Sequence, residues 1–316
     1  MPIEPLLPSA ILPWESDDLK VDEPDGTLPT LSLVVPIFNA GAYLERTLRS
    51  LALNNLDGVE VIVMDGASTD ATPDILAHYG EILDIVVSER DRGQSDALNK
   101  GFSRATGDVF GWLNGDDLLL PNTLNAVRAA FRDDEDAAVV VGDAAMVDLD
   151  LRVTHSFRAD NERLSFDRLL DYAHNHLVQP SVFFTRAAWE EAGPLDESLH
   201  YAMDADLFLK MARSMRMVHL PVEVAYSVYH EGAKTRRHRA ASITELALVQ
   251  ARHGGFTEAR HSLDIMVDLY NEALAGRGER PQGTEESAFL AQRLAAVEAE
   301  TEKNKRLLLR SLERPA

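Results

Sequence analysis

Between Leu31 and about Val147 the sequence switches back and forth between two hydrophobic periodicities, and this alternation constrains the fold most. The stretch "LSLVVPI" is short, apolar and β-branched, the pattern of a strand buried on both faces. "AGAYLERTLRSLAL" follows with Tyr43, Leu44, Thr47, Leu48 and Leu51 at helical spacing. "VEVIVMD" reads as a second buried strand, a helix is predicted from about Gln94, and "DVFGWL" reads as a further strand. "PNTLNAVRAAF" opens a helix with proline in its first turn, and "AAVVVGDAAMVD" is again a strand. The repetition predicts an α/β fold: a mostly parallel twisted sheet with helices on both faces. In such sheets ligands bind beyond the C-terminal ends of the strands. Asn39, Asp65 and "NGDD" (Asn114 to Asp117) each follow a predicted strand, so three polar sets are expected along one edge.

The flanks read differently. Residues 1–29 are proline-rich and acidic, an extended leader with Leu6, Leu7, Ile11, Leu12 and Trp14 available for packing. After Leu151 the alternation loosens into a helix near 161–173 and strands near 217–220 and 223–229. Helices are predicted over roughly 240–253, 256–275 and 285–312. A chain of 316 residues that is 45% hydrophobic can bury one large core with appendages. Its formal net charge of -21 argues against nucleic acid as a partner. A nucleotide-sized anion stays open, because a divalent cation inverts the local sign. With no cysteine, disulfides and zinc-thiolate sites are out, which fits a reducing compartment. The first residues lack a basic start and are broken by Pro2, Pro5, Pro8 and Pro13, unlike a signal peptide. No apolar run approaches the ~18 residues of a bilayer span. A cytoplasmic protein is expected, with any membrane contact peripheral.

Several constellations carry chemistry, each with a plainer alternative. A carboxylate at a strand end, as at Asp65, can accept hydrogen bonds from a nucleobase or ribose. Among Ser68, Thr69 and Asp70 at least one is expected to cap the helix that Pro73 opens. Asp116 and Asp117 suit a hard cation, since Mg²⁺ typically takes one or two carboxylates plus phosphate oxygens. A polar turn with a helix cap is the other reading. In "HYAMDADLFLKMARSM" Asp204 and Asp206 begin a helix, where the macrodipole favours negative charge. Asp204 can also be a general base. "HNH" (His174 to His176) reads as an acceptor-side loop or structural histidines rather than a metal pair. "EKNKRLLLRSLER" is basic with Leu307, Leu308 and Leu312 as an apolar stripe. It suits a packed or dimerising helix, or one lying on an anionic membrane.

Taken together, "LSLVVPIFNAGAYLERTLRSL", "VIVMDGASTDAT", "DRGQSDALNKGFSRATGDVFGWLNGDD" and "GPLDESLHYAMDADLFLKMA" resemble family 2 glycosyltransferases of the GT-A fold. The resemblance covers about 31–235. It implies a nucleotide-sugar donor, Mg²⁺ or Mn²⁺, and an inverting displacement at the anomeric carbon. It also implies that Pro36 and Asn39 frame the base and ribose, and that Asp65 contacts the base. Asn114 and Asp116 occupy the two ends of the family's D-x-D motif, with Asp116 holding the metal. Asp204 matches the acid that deprotonates the acceptor hydroxyl. His230 in "VYHEGAKT" falls near metal and diphosphate, with Lys234 on the phosphate side. Three positions depart from the pattern: Asn114 replaces an aspartate, Met203 a frequent glutamate, and Leu98 a frequent arginine whose charge Arg90 or Arg92 would supply.

The implied organisation is a leader (1–29), a GT-A domain (30–238) and a C-terminal helical region (239–316). Within the domain, 30–120 is the nucleotide-binding half and 121–238 the acceptor half. "GQSDALNKGF" with "GWLNGDD" is similar to a branch of bacterial polysaccharide-assembly enzymes. That implies a saccharide acceptor, free or lipid-linked, in cell-surface polysaccharide synthesis. The rival from another class is a catalytically inactive nucleotide-binding scaffold in an assembly complex. A dinucleotide oxidoreductase is disfavoured because no G-x-G-x-x-G follows the first strand.

Overall fold

The computed structural model describes residues 3–15 and 26–277. The alternation resolves into β1 (Leu31–Ile37), α1 (Leu44–Ala52), β2 (Val59–Asp65), α2 (Thr72–His78), β3 (Ile85–Ser88) and α3 (Gln94–Phe102). Then come β4 (Val109–Trp112), β5 (Leu118–Leu119), α4 (Thr123–Asp133), β6 (Val139–Val147) and β7 (Val153–Phe157). The rest comprises α5 (Phe166–Leu170), α6 (Tyr172–Asn175), β8 (Val182–Thr185), α7 (Arg186–Ala192), α8 (Met203–Ser214) and β9 (Met217–Val228). Three helices follow: α9 (Lys234–Arg237), α10 (Arg239–Arg252) and α11 (Phe256–Arg277). The helix expected over 285–312, with its basic stretch, lies outside the described residues.

The strands of the described residues form one nine-stranded sheet in the order β3-β2-β1-β4-β8-β6-β9-β5, with β7 on β6. β3, β2, β1 and β4 are parallel, as the alternation predicts, because a helix returns the chain after each strand. The other half is mixed. β8 runs antiparallel to β4 and β6, and β6 pairs parallel with β9. β5 runs antiparallel to β9, as β7 does to β6. A mostly parallel sheet therefore describes the first half only.

Three local expectations are corrected. The strands expected near 217–220 and 223–229 are one strand, β9, because the β6–β9 register shifts around Asp143 and accommodates Pro221. α4 starts at Thr123 rather than at Pro121, after Asn122 turns the chain at φ 63°. The helix near 161–173 is two short ones broken at Asp171.

β1 is buried at every position. Leu31, Leu33, Val35 and Ile37 share a core with Leu44, Leu48 and Leu51 of α1. Val34 points the other way, where α3 lies so close that a Cβ on Gly101 would stand 2.4 Å from Val34 Cγ1. Gly101→Ala is therefore expected to cost about 1–3 kcal/mol by overpacking. Thermal denaturation reads this as a lower Tm, and an unchanged Tm would mean that Val34 moves aside freely.

The chain divides into two compact units of interleaved sequence. Unit one comprises Met1–Ser165, Leu177–Glu197 and Lys210–His230, and holds the whole sheet. Unit two comprises Phe166–His176, Ser198–Leu209 and the described residues from Glu231 onward. Within unit one, the described start of the leader packs on the sheet. Leu12 is buried with Leu118, Ala145, Val147 and Val228, and Trp14 packs against them. Leu6, Leu7 and Ile11 stay exposed. Their segment is tied instead by backbone N–H groups of Leu6 and Leu7 to the Glu45 carboxylate and by an Arg49–Glu15 ion pair. In unit two, Ala247, Leu248 and Ala251 of α10 pack on Ala259 of α11. No helix among the described residues is long and apolar enough to cross a membrane.

Candidate active site

Because β3, β2, β1 and β4 are parallel, the residues after Ser88, Asp65, Ile37 and Trp112 emerge along one edge of unit one. Asp65, at the end of β2, is 2% exposed. It accepts hydrogen bonds from Ser68 N (3.0 Å), Ser68 Oγ (2.5 Å) and Ser88 Oγ (2.5 Å). Ser68 also accepts from Asn39 N (2.7 Å), and Asn39 Oδ1 accepts from Thr69 N (3.0 Å). Asn39 adopts φ 49°, a conformation asparagine tolerates better than most side chains. Asn39 and Asp65 are thus two ends of one hydrogen-bonded turn. Asp70 Oδ1 accepts from Thr72 N (3.0 Å), but the N-cap of α2 is Ala71 and has no side-chain cap bond, so the cap expected of Ser68, Thr69 or Asp70 falls one residue later. Pro36, in β1 opposite Met64, is buried and shapes the strand that leads into this turn.

Sequence reasoning missed Phe38. Its ring is 65% exposed at the mouth of this turn, and a Cβ on Gly66 would stand 3.2 Å from it. An aromatic in a loop has no periodicity to reveal it.

The "NGDD" turn packs against the end of β1: a Cβ on Gly115 would stand 2.7 Å from Ile37 Cγ2. The two acids have separate fates. Asp117 is buried, its Oδ1 accepting from Val228 N (3.1 Å) and its Oδ2 from Asn114 Nδ2 (2.9 Å). Burial first, and Asp116 second, push the Asp117 carboxyl up to about 7. Asp116 keeps its side chain 34% exposed, with Oδ2 2.9 Å from His230 Nε2. His230 is buried, its ring against Tyr43 at 4.1 Å between centroids. Its Nδ1 has no hydrogen-bond partner among the described residues. The structure therefore brings together two residues 114 positions apart.

Asn114 sits in an amide network. Its Oδ1 accepts from Gln94 (2.7 Å), and its Nδ2 donates to Asp117 and to Gln179 (3.0 Å). Neither amide stands out in the sequence as a site residue: Gln94 marks a predicted helix start and Gln179 lies in no motif. Arg92 is engaged elsewhere, paired with Asp96 (3.1 Å) and Glu197 (2.7 Å). Asp96, although burial opposes it, is held down at about 2 by Arg92 and Lys100. Gly93, at φ 118°, makes the turn that allows Asp96 to reach back to Arg92 N.

Unit two holds the other set. Asp204 lies in the first turn of α8, half-buried, with Oδ1 accepting from Ala205 N at 2.8 Å. Burial, with Glu245 adding like charge, raises its carboxyl to about 6 against the pull of Lys234. Lys234, first in α9, places Nζ 5.5 Å from the centre of the Tyr201 ring. Asp206 is buried against His253 Nε2 at 2.9 Å. His174 pairs with Asp171 (2.9 Å) and stacks on His261.

Residues 32–191 match the family described as Glycosyl transferase family 2. The chain is similar to the "PGL/p-HBAD biosynthesis glycosyltransferase" of Mycobacterium bovis, 29% identical over 208 residues, 64% of this chain and 77% of that protein. Among solved structures, S. aureus TarS 1-349 in complex with UDP-GlcNAc superposes at a TM-score of 0.60, 20% identical, over 86% of this chain and 81% of that one. The mannosyltransferase PcManGT from Pyrobaculum calidifontis, with GDP-Man and Mn2+, superposes at 0.53, 19% identical, over 89% of each. These superpositions show a shared GT-A fold.

Proposed function

The chain belongs to glycosyl transferase family 2, and from that premise we propose that it is a metal-dependent, inverting transferase using a nucleotide-activated sugar. The pairing of Asp116 with His230 carries this reading. One carboxylate oxygen and one imidazole nitrogen 2.9 Å apart suit two neighbouring ligands of one divalent cation. Mg²⁺ or Mn²⁺ would draw its remaining ligands from phosphate oxygens and water. When bound, the cation neutralises charge developing on the leaving diphosphate. Tyr43 fixes the His230 ring, and Asp117 anchors the turn that presents Asp116.

Asn39 lines the nucleoside side, with Phe38 as a face on which a base stacks, and Asp65, buried with both oxygens accepting from Ser68 and Ser88, holds the turn that presents them. Asp204 takes the proton of the acceptor hydroxyl as that oxygen attacks the anomeric carbon. The new C–O bond forms on the face opposite the breaking one, and the electron pair leaves with the diphosphate. Lys234 adds positive charge for phosphate. The acceptor is proposed to be a saccharide, free or lipid-linked, of cell-surface polysaccharide synthesis, a reading carried by the resemblance of "GQSDALNKGF" and "GWLNGDD".

Calorimetric titration with UDP, GDP and dTDP, with and without Mn²⁺, followed by donor hydrolysis, tests the reading. One nucleotide is expected to bind, more tightly with Mn²⁺, and its sugar conjugate to be hydrolysed. In the same titration Phe38→Ala is expected to weaken that nucleotide by about 1–3 kcal/mol, the scale of a base–aromatic stack. Absence of nucleotide binding in every combination would overturn the proposal.

A further inference from the structure

The C-terminal helices carry a residue that the donor chemistry does not use and that binds the turn just before the acid proposed as base. Glu245 on α10 is fully buried. One of its oxygens, Oε2, accepts from the backbone N–H groups of His200 (2.8 Å), Tyr201 and Ala202 (2.9 Å). Three successive N–H groups converging on one anion form a nest, a concavity that favours negative charge. These residues open α8: Ala202 O accepts the first helical bond, from Asp206 N at 3.0 Å. Asp204 is two residues beyond. A second tie from the same helix side runs through His253, just past α10, to Asp206 at 2.9 Å. A buried carboxylate is costly unless paired, and here its partners are the backbone of the turn that presents Asp204.

We propose that Glu245 is a positioning residue: it binds the turn that opens α8 and so fixes where, and beside what charge, the Asp204 carboxylate stands. The C-terminal helical region is then part of the catalytic apparatus. Among the described residues, Glu245 from α10 and Lys234 from α9 are charged groups that act on Asp204 in unit two. Asp206, on α8 itself, is paired with His253. Glu245 keeps a like charge near Asp204, favouring its protonated form, and Lys234 opposes this. Removing the Glu245 charge therefore lets Asp204 ionise at lower pH.

This inference rests on Asp204 being the base, and the experiment separates the two. Transfer rates of the full chain are measured against pH for the wild type, Asp204→Asn, Glu245→Gln and Glu245→Ala. Glu245→Gln keeps an oxygen for the three N–H groups and loses the charge. Its acid-side midpoint is expected to move to lower pH. Glu245→Ala removes the anchor, and kcat is expected to fall about 100-fold, the scale of a misplaced reacting group, with donor KM unchanged. A Glu245→Gln profile that superposes on the wild type, or wild-type kcat in Glu245→Ala, overturns the inference. Should either variant fail to fold, amide exchange of Tyr201 and Ala202 in the intact wild type decides. Slow exchange is expected, and exchange at the rate of open loop amides overturns the anchor. If Asp204→Asn keeps wild-type transfer, the proposed base falls. If Asp204→Asn is inactive while Glu245→Gln shifts nothing, only the role of Glu245 falls.

Discussion

Asp204→Asn is expected to lower sugar transfer by about 10²–10⁴-fold, the usual worth of one positioned base, while leaving nucleotide affinity unchanged. Asparagine has the same shape, and its Oδ1 can still accept the Ala205 N–H that Asp204 Oδ1 accepts at 2.8 Å. The lost element is proton affinity. The native carboxyl, raised by burial and then by Glu245 to about 6, is near the range in which a general base works best. Wild-type transfer should therefore fall as pH drops through about 6, where Asp204 becomes protonated. The stability sign runs the other way. The folded state binds this proton more tightly than the unfolded chain, so this group's contribution declines as pH rises from 3.8 towards about 6. Asp204→Asn removes that penalty, so above that range its Tm should not drop below the wild type. An inactive variant with an undiminished Tm has lost chemistry rather than fold. Wild-type transfer by a folded, nucleotide-binding Asp204→Asn would remove Asp204 from the mechanism.

The strands that support this chemistry were legible because they are buried on both faces. β1 and β2 are mostly Val, Leu and Ile and β6 opens on three valines, an apolar density that a chain carries where both sides of a strand are dry. The strand-end placement of Asp65 and of the "NGDD" turn followed from that alternation. What stayed hidden depends on contacts between distant parts of the chain. β9 passes through Pro221 because its pairing with β6 shifts register there, and the partner is invisible from either strand alone. Arg92 reads as a loop cation that would supply the charge missing at Leu98, and its pairing with Asp96, four residues on, and with Glu197 does not show in the sequence. Glu245 looks like any polar position in a helix, since its three backbone partners lie 43 to 45 residues earlier. Asp116 and Asp117 are adjacent and chemically identical; the family resemblance singles out Asp116, but the residues alone do not, and the physical difference between them is burial.

That difference in burial sets the second expectation. Asp117 has both oxygens occupied and a side chain that is 4% exposed, so it cannot turn outward without abandoning Val228 and Asn114. Asn114 has committed both amide donors and has an oxygen already accepting from Gln94. Asp116 is left as the carboxylate of the turn that faces outward, and His230 as the nitrogen beside it. Asp116→Ala is therefore expected to abolish the Mn²⁺ dependence of nucleotide affinity and to lower kcat by about 10²–10³-fold, the cost of losing one element aimed at developing charge. His230→Ala should reduce the same metal dependence without abolishing it, since the carboxylate remains and oxygen is the ligand hard cations prefer. Calorimetry with and without metal reads both effects independently of turnover. If Asp116→Ala retains metal-enhanced nucleotide binding, the cation must be held elsewhere. The 2.9 Å approach of His230 to Asp116 would then be an ordinary ion pair closing the turn.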